Sequence, residues 1–230
     1  MKINNLKVYR WVGISGIMAC IVGITEFPLW FIGGQVPSFW DEANFSNYVA
    51  RNSTLFITRT FMDLFILLFL TVFIAGFRNL IKQKHNEYEW AASLFFGIVL
   101  IYIALTLVSD SITGGAALYT VGVIPETTAI RALIEETLLM FGSAGITFTG
   151  ALLATAAYLI FATKALPKWI GWIALISAII NFAFVPSMFF GTDPNQFYSE
   201  TGLGISFASA LPLITWILLT SILMITKKEE

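Results

Sequence analysis

The chain has 230 residues, 57% of them hydrophobic and 12% charged, with a mean hydropathy of +0.81 and a formal net charge of −1. So apolar a composition excludes an ordinary soluble domain, and the near-neutral charge argues against nucleic acid as a partner, which calls for a basic face. A single cysteine, Cys20, rules out an internal disulfide framework and any cysteine-based zinc site.

Six apolar runs follow in order, at about residues 8–33, 54–77, 91–118, 133–162, 169–191 and 203–226. Each exceeds the roughly 20 residues that a helix needs to cross about 30 Å of hydrocarbon. The expected fold is all-α: six transmembrane helices forming one integral membrane domain over residues 1–230, with the lipid bilayer as its main partner. The longest connection, about 34–53, is too short for a separate soluble domain.

The first run follows Lys2, Lys7 and Arg10, and Ile17-Met18-Ala19-Cys20 loosely imitates a lipoprotein cleavage site. Because the chain stays apolar from Ile21 to Ile32, the run reads as an uncleaved first helix. The connection at 34–53 mixes Pro37, Phe39, Trp40, Asp41, Glu42 and Phe45 and predicts a short interfacial helix. Pro125 with Thr127-Thr128, and Asp193-Pro194-Asn195, mark two further turns. The only histidine, His85, sits in the polar stretch 82–87 and reads as a solvated loop residue.

The fourth run contains Gly142, Ser143, Ala144, Gly145, Gly150 and Ala151, small residues that let helices approach where lipid supplies no hydrophobic drive, so it is the expected central helix. Pro28, Pro186 and Pro212 fall in or near spans and predict kinks. Arg10-Trp11-Val12-Gly13 with Pro28 and Gly33 matches Lys168-Trp169-Ile170-Gly171 with Pro186 and Gly191 at a constant offset, a hint of internal repetition that the remaining matches do not extend to one repeat unit.

Orientation follows from the basic residues. With the N-terminus inside, ten of the thirteen (Lys2, Lys7, Arg10, Arg78, Lys82, Lys84, Lys164, Lys168, Lys227 and Lys228) lie on the cytoplasmic side, and Arg51, Arg59 and Arg131 lie outside. The asymmetry predicts that both termini face the cytoplasm. Trp11, Trp30, Trp40, Trp90 and Trp169 fall near span ends, as headgroup anchors do.

Ionisable residues inside spans are costly and mark sites by default. Glu26, Arg59, Asp63, Asp110, Arg131, Glu135 and Glu136 all fall toward the outer side, and five acids against two arginines give a formal charge of −3. Arg59 and Asp63, like Arg131 and Glu135, stand four residues apart and can pair on one helix face; Glu26 has no such ionic partner. Gly114-Gly115 could end the third helix early and leave Asp110 superficial. Asn181 and, more weakly, Ser177, Ser206 and Ser209 could complete a polar lining. The expected ligand-binding set is therefore Glu26, Arg59, Asp63, Asp110, Arg131, Glu135, Glu136 and Asn181, around an outward-facing acidic vestibule that takes a small cationic or protonatable solute or a proton, in binding or transport.

A noncatalytic scaffold or regulatory subunit is the first alternative, in which the polar pairs only hold helices together. An intramembrane metal-dependent hydrolase is the second, weakened by the lone His85 on the opposite side. Glu135-Glu136 resembles the paired glutamates of membrane prenyl-protein peptidases, but Met140 stands where their arginine belongs and their histidine motifs are missing. The last span holds no lysine for a Schiff base. No catalytic set, metal-ligand set or cofactor is legible. In its hydropathy layout, in Asn52 with the Arg59–Asp63 span and in Leu166-Pro167-Lys168-Trp169-Ile170-Gly171-Trp172, the chain resembles uncharacterised bacterial six-span membrane proteins of the domain-of-unknown-function type. That resemblance implies a bacterial cytoplasmic membrane protein and carries no activity with it.

Overall fold

The structure, a computed structural model, describes residues 5–34, 36–37, 41–121 and 126–226. Trp40, Pro125, Lys2, Lys227 and Lys228 lie outside the described residues, as do the side chains of Lys7, Lys84 and Ser206. Among the described residues the chain is helical, with six helical stretches long and apolar enough to cross a membrane. The architecture is that of a multi-pass membrane protein. The helices are α1 (Asn5–Glu26), α2 (Leu29–Ile32), α3 (Glu42–Arg51), α4 (Ser53–Lys84), α5 (Glu89–Tyr119), α6 (Thr127–Leu139), α7 (Gly145–Thr163), α8 (Lys168–Phe184) and α9 (Leu203–Thr226). A π-helical turn, Met140–Ala144, joins α6 to α7, and a 3-10 turn, Val185–Phe190, extends α8.

Alternate crossings give the bundle two ends. The acidic end holds α2, α3, α6 and the 191–202 loop; the basic end holds the start of α1, the α4–α5 and α7–α8 connections and the finish of α9. At the basic end, Trp216 of α9 packs edge-on against Phe73, Phe77 and Phe95 of α4 and α5, with ring centroids 5.9, 5.6 and 6.4 Å away. α1 reaches α4 because Gly76 has no side chain: a Cβ there would run into Val12. Small residues in the transmembrane contact thus take the place of a hydrophobic drive that lipid cannot provide. The fourth span is the most enclosed, with 56% of its apolar window buried against 28–39% in the others. That agrees with its small-residue content.

Several boundaries differ from the hydropathy reading. The first span breaks at Phe27-Pro28, so Glu26 is the last residue of α1 and Pro28 leads into α2. α4 is longer than its apolar run because polar residues at both ends keep helical spacing; its 32 residues extend about 48 Å. α5 continues through Gly114-Gly115 to Tyr119, which leaves Asp110 well inside the helix. Packing decides this: Gly114 lies against Thr60 of α4, where no bulkier residue fits without a shift.

The fourth span is not one helix. Gly142 leaves helical geometry (φ −74°, ψ −118°) inside the π-helical turn, and α7 alone, at 19 residues and about 28 Å, covers a bilayer core. α6 is a separate segment above it. A short helix is present in the 34–53 connection as α3: Asp41 caps it by accepting from the Asn44 amide at 3.3 Å, and Glu42 and Arg51 sit at the ends that suit the helix dipole. Its Phe45, Tyr48 and Val49 form a small second core with Ala116 of α5 and Ile130 and Ile134 of α6.

Candidate functional site

Three helices bring carboxyl groups to one place. Glu26, at the end of α1, is 6% exposed; its Oε1 accepts from Arg59 Nε of α4 at 3.4 Å and from Trp30 Nε1 of α2 at 3.2 Å. The Arg59 guanidinium lies over the Trp30 ring, with Cζ 3.3 Å from the ring centroid. One turn along α4, the half-buried Asp63 carboxyl comes within hydrogen-bonding reach of Glu26 and of Asp110 on α5. Asp110 is 3% exposed, and its Oδ2 accepts no hydrogen bond among the described residues. Thr60 donates to the Asp110 carbonyl at 3.3 Å and ties α4 to α5 beside the group.

Chain geometry explains this meeting. Asp63 and Asp110 each lie roughly 15 Å along their helices from the acidic end, and the break at Pro28 ends α1 at a matching level. Three acids and one arginine leave a formal charge of −2. An ionised carboxylate can only accept, so contacts among these carboxyl groups require a proton or a cation between them.

The eight expected residues do not form one group. Arg131 donates from Nη1 to Glu42 of α3 at 2.9 Å, and its Nε lies 3.2 Å from Glu135 Oε2; Thr128 adds a bond to Glu42 at 3.1 Å. This second polar group clamps α3 onto α6. Glu136 is exposed on α6. Asn181 is buried on α8, which packs against α7 and α9; its Nδ2 donates to the Ser177 carbonyl at 2.8 Å. These four stand apart from the Glu26–Asp63–Asp110 group: Arg131 and Glu135 join Glu42 of α3, Glu136 turns outward, and Asn181 turns toward its own helix. Arg59 likewise pairs across helices with Glu26 rather than only along its own face with Asp63.

Two participants escaped the sequence reading. Trp30 was legible as an anchor, and 47% of it is exposed, but its ring also seats Arg59. Glu200, in the 191–202 loop, is 5% exposed. Its Oε1 accepts from the Ser143 amide at 2.7 Å, and its Oε2 accepts from Ser143 Oγ at 3.1 Å and Ser187 Oγ at 2.6 Å. The carboxylate thereby caps the start of α7, a favourable place for negative charge. Gly142 is required beside it, since a Cβ there would overlap the Glu200 carboxylate. Nothing in the local sequence distinguishes Glu200 from an ordinary loop acid; the only advance signal was the Gly142-Ser143 pair in the fourth run.

His85 caps the far end of α4 and lies 3.4 Å from Glu87. No group of three or more histidine, cysteine, aspartate or glutamate side chains gathers closely enough to hold a metal ion among the described residues. Comparison of the chain with protein-family models, curated proteins and solved structures finds no match.

Proposed function

We propose that this membrane protein binds a small cationic or protonatable solute at the Glu26–Asp63–Asp110 group and carries it across the bilayer, entering from an acidic end that faces the outside. The observation that supports this reading is the gathering of three carboxyl groups, from α1, α4 and α5, with Glu26 among them paired to Arg59 at 3.4 Å. Such a group costs folding energy, which a purely structural role repays poorly. Its excess negative charge attracts cations, and the proton its carboxyl contacts demand is available for exchange.

The test is thermal unfolding of the purified protein in detergent, with and without sodium, tetramethylammonium or methylguanidinium, across pH 5–9. Stabilisation should grow as protons leave the group, and Glu26→Gln or Asp63→Asn should flatten that dependence. Melting shifts with unchanged pH dependence in both variants would reject the reading. A scaffold has its own support, since the Glu26–Arg59 contact ties α1 to α4. In that case Glu26→Gln lowers the melting temperature and no probe shifts the wild type.

A further inference from the structure

The Arg59 guanidinium occupies a seat made of one aromatic face and one carboxylate. It lies on Trp30 at 3.3 Å, a stacking distance for two flat groups, while its Nε reaches Glu26 at 3.4 Å. That contact is long for a charge-assisted hydrogen bond, which usually falls near 2.7–2.9 Å. A tethered arginine offering Nε does not deliver the two-pronged fork that a free guanidinium presents to a carboxylate.

Arg59 also has somewhere to go. Asp63 stands one helical turn away on α4, and the buried Asp110 Oδ2 beyond it is an acceptor without a donor among the described residues. Nearly half of Trp30 is exposed, so the seat lies at the edge of the bundle, with Arg59 and Glu26 largely enclosed behind it.

We infer that Arg59 is an internal stand-in for the ligand, and that the site takes a flat, delocalised organic monocation of the guanidinium or amidinium class. The incoming cation stacks on Trp30 and forks onto Glu26 while Arg59 swings to Asp63 and Asp110. Charge favours the exchange: with Arg59 present the group carries a formal −2 when fully ionised and −1 with one shared proton, and a bound monocation brings these to −1 and 0. This inference rests on the cation-binding reading above and specifies its substrate class.

The experiment is isothermal titration calorimetry of the full chain in detergent micelles at pH 6 and pH 8, with methylguanidinium, tetramethylammonium and sodium chlorides as separate probes. Wild type should bind methylguanidinium saturably and in preference to the other two. Trp30→Leu should weaken that binding about tenfold, the order expected for a partly desolvated cation–aromatic contact. Arg59→Lys, which keeps the charge near Asp63 but gives up the flat stack, should tighten it.

Equal binding of tetramethylammonium and methylguanidinium, untouched by Trp30→Leu yet lost in Asp63→Asn, would overturn the guanidinium assignment and leave cation binding standing. Methylguanidinium binding seen only in Arg59→Ala would also overturn it, as a guest filling a hole cut for it. No binding of any probe to the wild type at either pH would remove both readings.

Discussion

Removing the Glu200 carboxylate tests whether the 191–202 loop is a built part of the bundle. The side chain accepts three hydrogen bonds at 2.6, 2.7 and 3.1 Å, two from serine hydroxyls and one from the Ser143 amide, at a site 5% exposed. In Glu200→Ala the Ser143 hydroxyl, whose single proton is shared between Glu200 Oε2 and the Val185 carbonyl at 2.9 Å, can settle on the carbonyl, and Ser187 Oγ lies 3.3 Å from it. The Ser143 amide has no such recourse, and an orphaned buried donor costs about 1–3 kcal/mol. Bonds to a charged acceptor contribute about 1.5–3 kcal/mol each in water-soluble proteins, whereas bonds between membrane helices average about 0.6 kcal/mol. The expected loss is therefore about 2–5 kcal/mol for Glu200→Ala. Glu200→Gln, which retains a carbonyl for the amide, should lose about 1 kcal/mol. Unfolding by sodium dodecyl sulfate in mixed micelles, followed by circular dichroism, measures both. A loss below about 0.5 kcal/mol in the alanine variant would refute the reasoning, because the loop would then be closing over the break without holding it.

Other perturbations reach different parts of the fold. Gly76→Ala forces a methyl group into Val12; overpacking costs about 1–3 kcal/mol and helix propensity returns up to about 1 kcal/mol, so the same unfolding assay should show a net loss near 1 kcal/mol, and a gain would contradict the close α1–α4 contact. Arg131→Ala removes a partly buried clamp, its side chain 19% exposed, worth about 1 kcal/mol, so global stability should fall only slightly while hydrogen exchange accelerates in α3; unchanged exchange there would show that its apolar face suffices. Burial pushes the Tyr48 phenol above its usual value against the pull of Arg59 and Arg51. The folded state therefore keeps this proton where the unfolded chain sheds it: the contribution is intact below about pH 10 and is lost as pH rises through the folded value. Tyr48→Phe should flatten the fall of melting temperature above pH 10, and an unaltered fall would assign it to other groups.

What the sequence disclosed divides along physical lines. Span existence depends on composition summed over some 20 residues, which neighbours cannot overrule, and all six were legible. The meeting of Glu26, Asp63 and Asp110 was partly legible because depth along a helix follows from counting residues. Rotational phase does not: counting residues set Glu135 and Glu136 nearer the entrance than Asp63 but left open which way they face, and in the fold Glu135 turns to Arg131 while Glu136 is exposed. Helical spacing foresaw the Arg131–Glu135 pair and missed the Arg59–Glu26 contact, which spans 33 residues of chain. Glu200 was invisible for the same reason, since its partners lie 57 and 13 residues away.

The turn at Met140–Ala144 separates the length of the membrane-crossing rod from the length of the chain that feeds it. With α7 about one bilayer core long, α6 packs on α3 and also on α5, where Ser109 Oγ donates to the Thr137 carbonyl at 3.5 Å, so the two rods meet against the helix that carries Asp110. A shift at that joint, of the kind a change in lipid thickness demands, therefore reaches the carboxyl arrangement through α5.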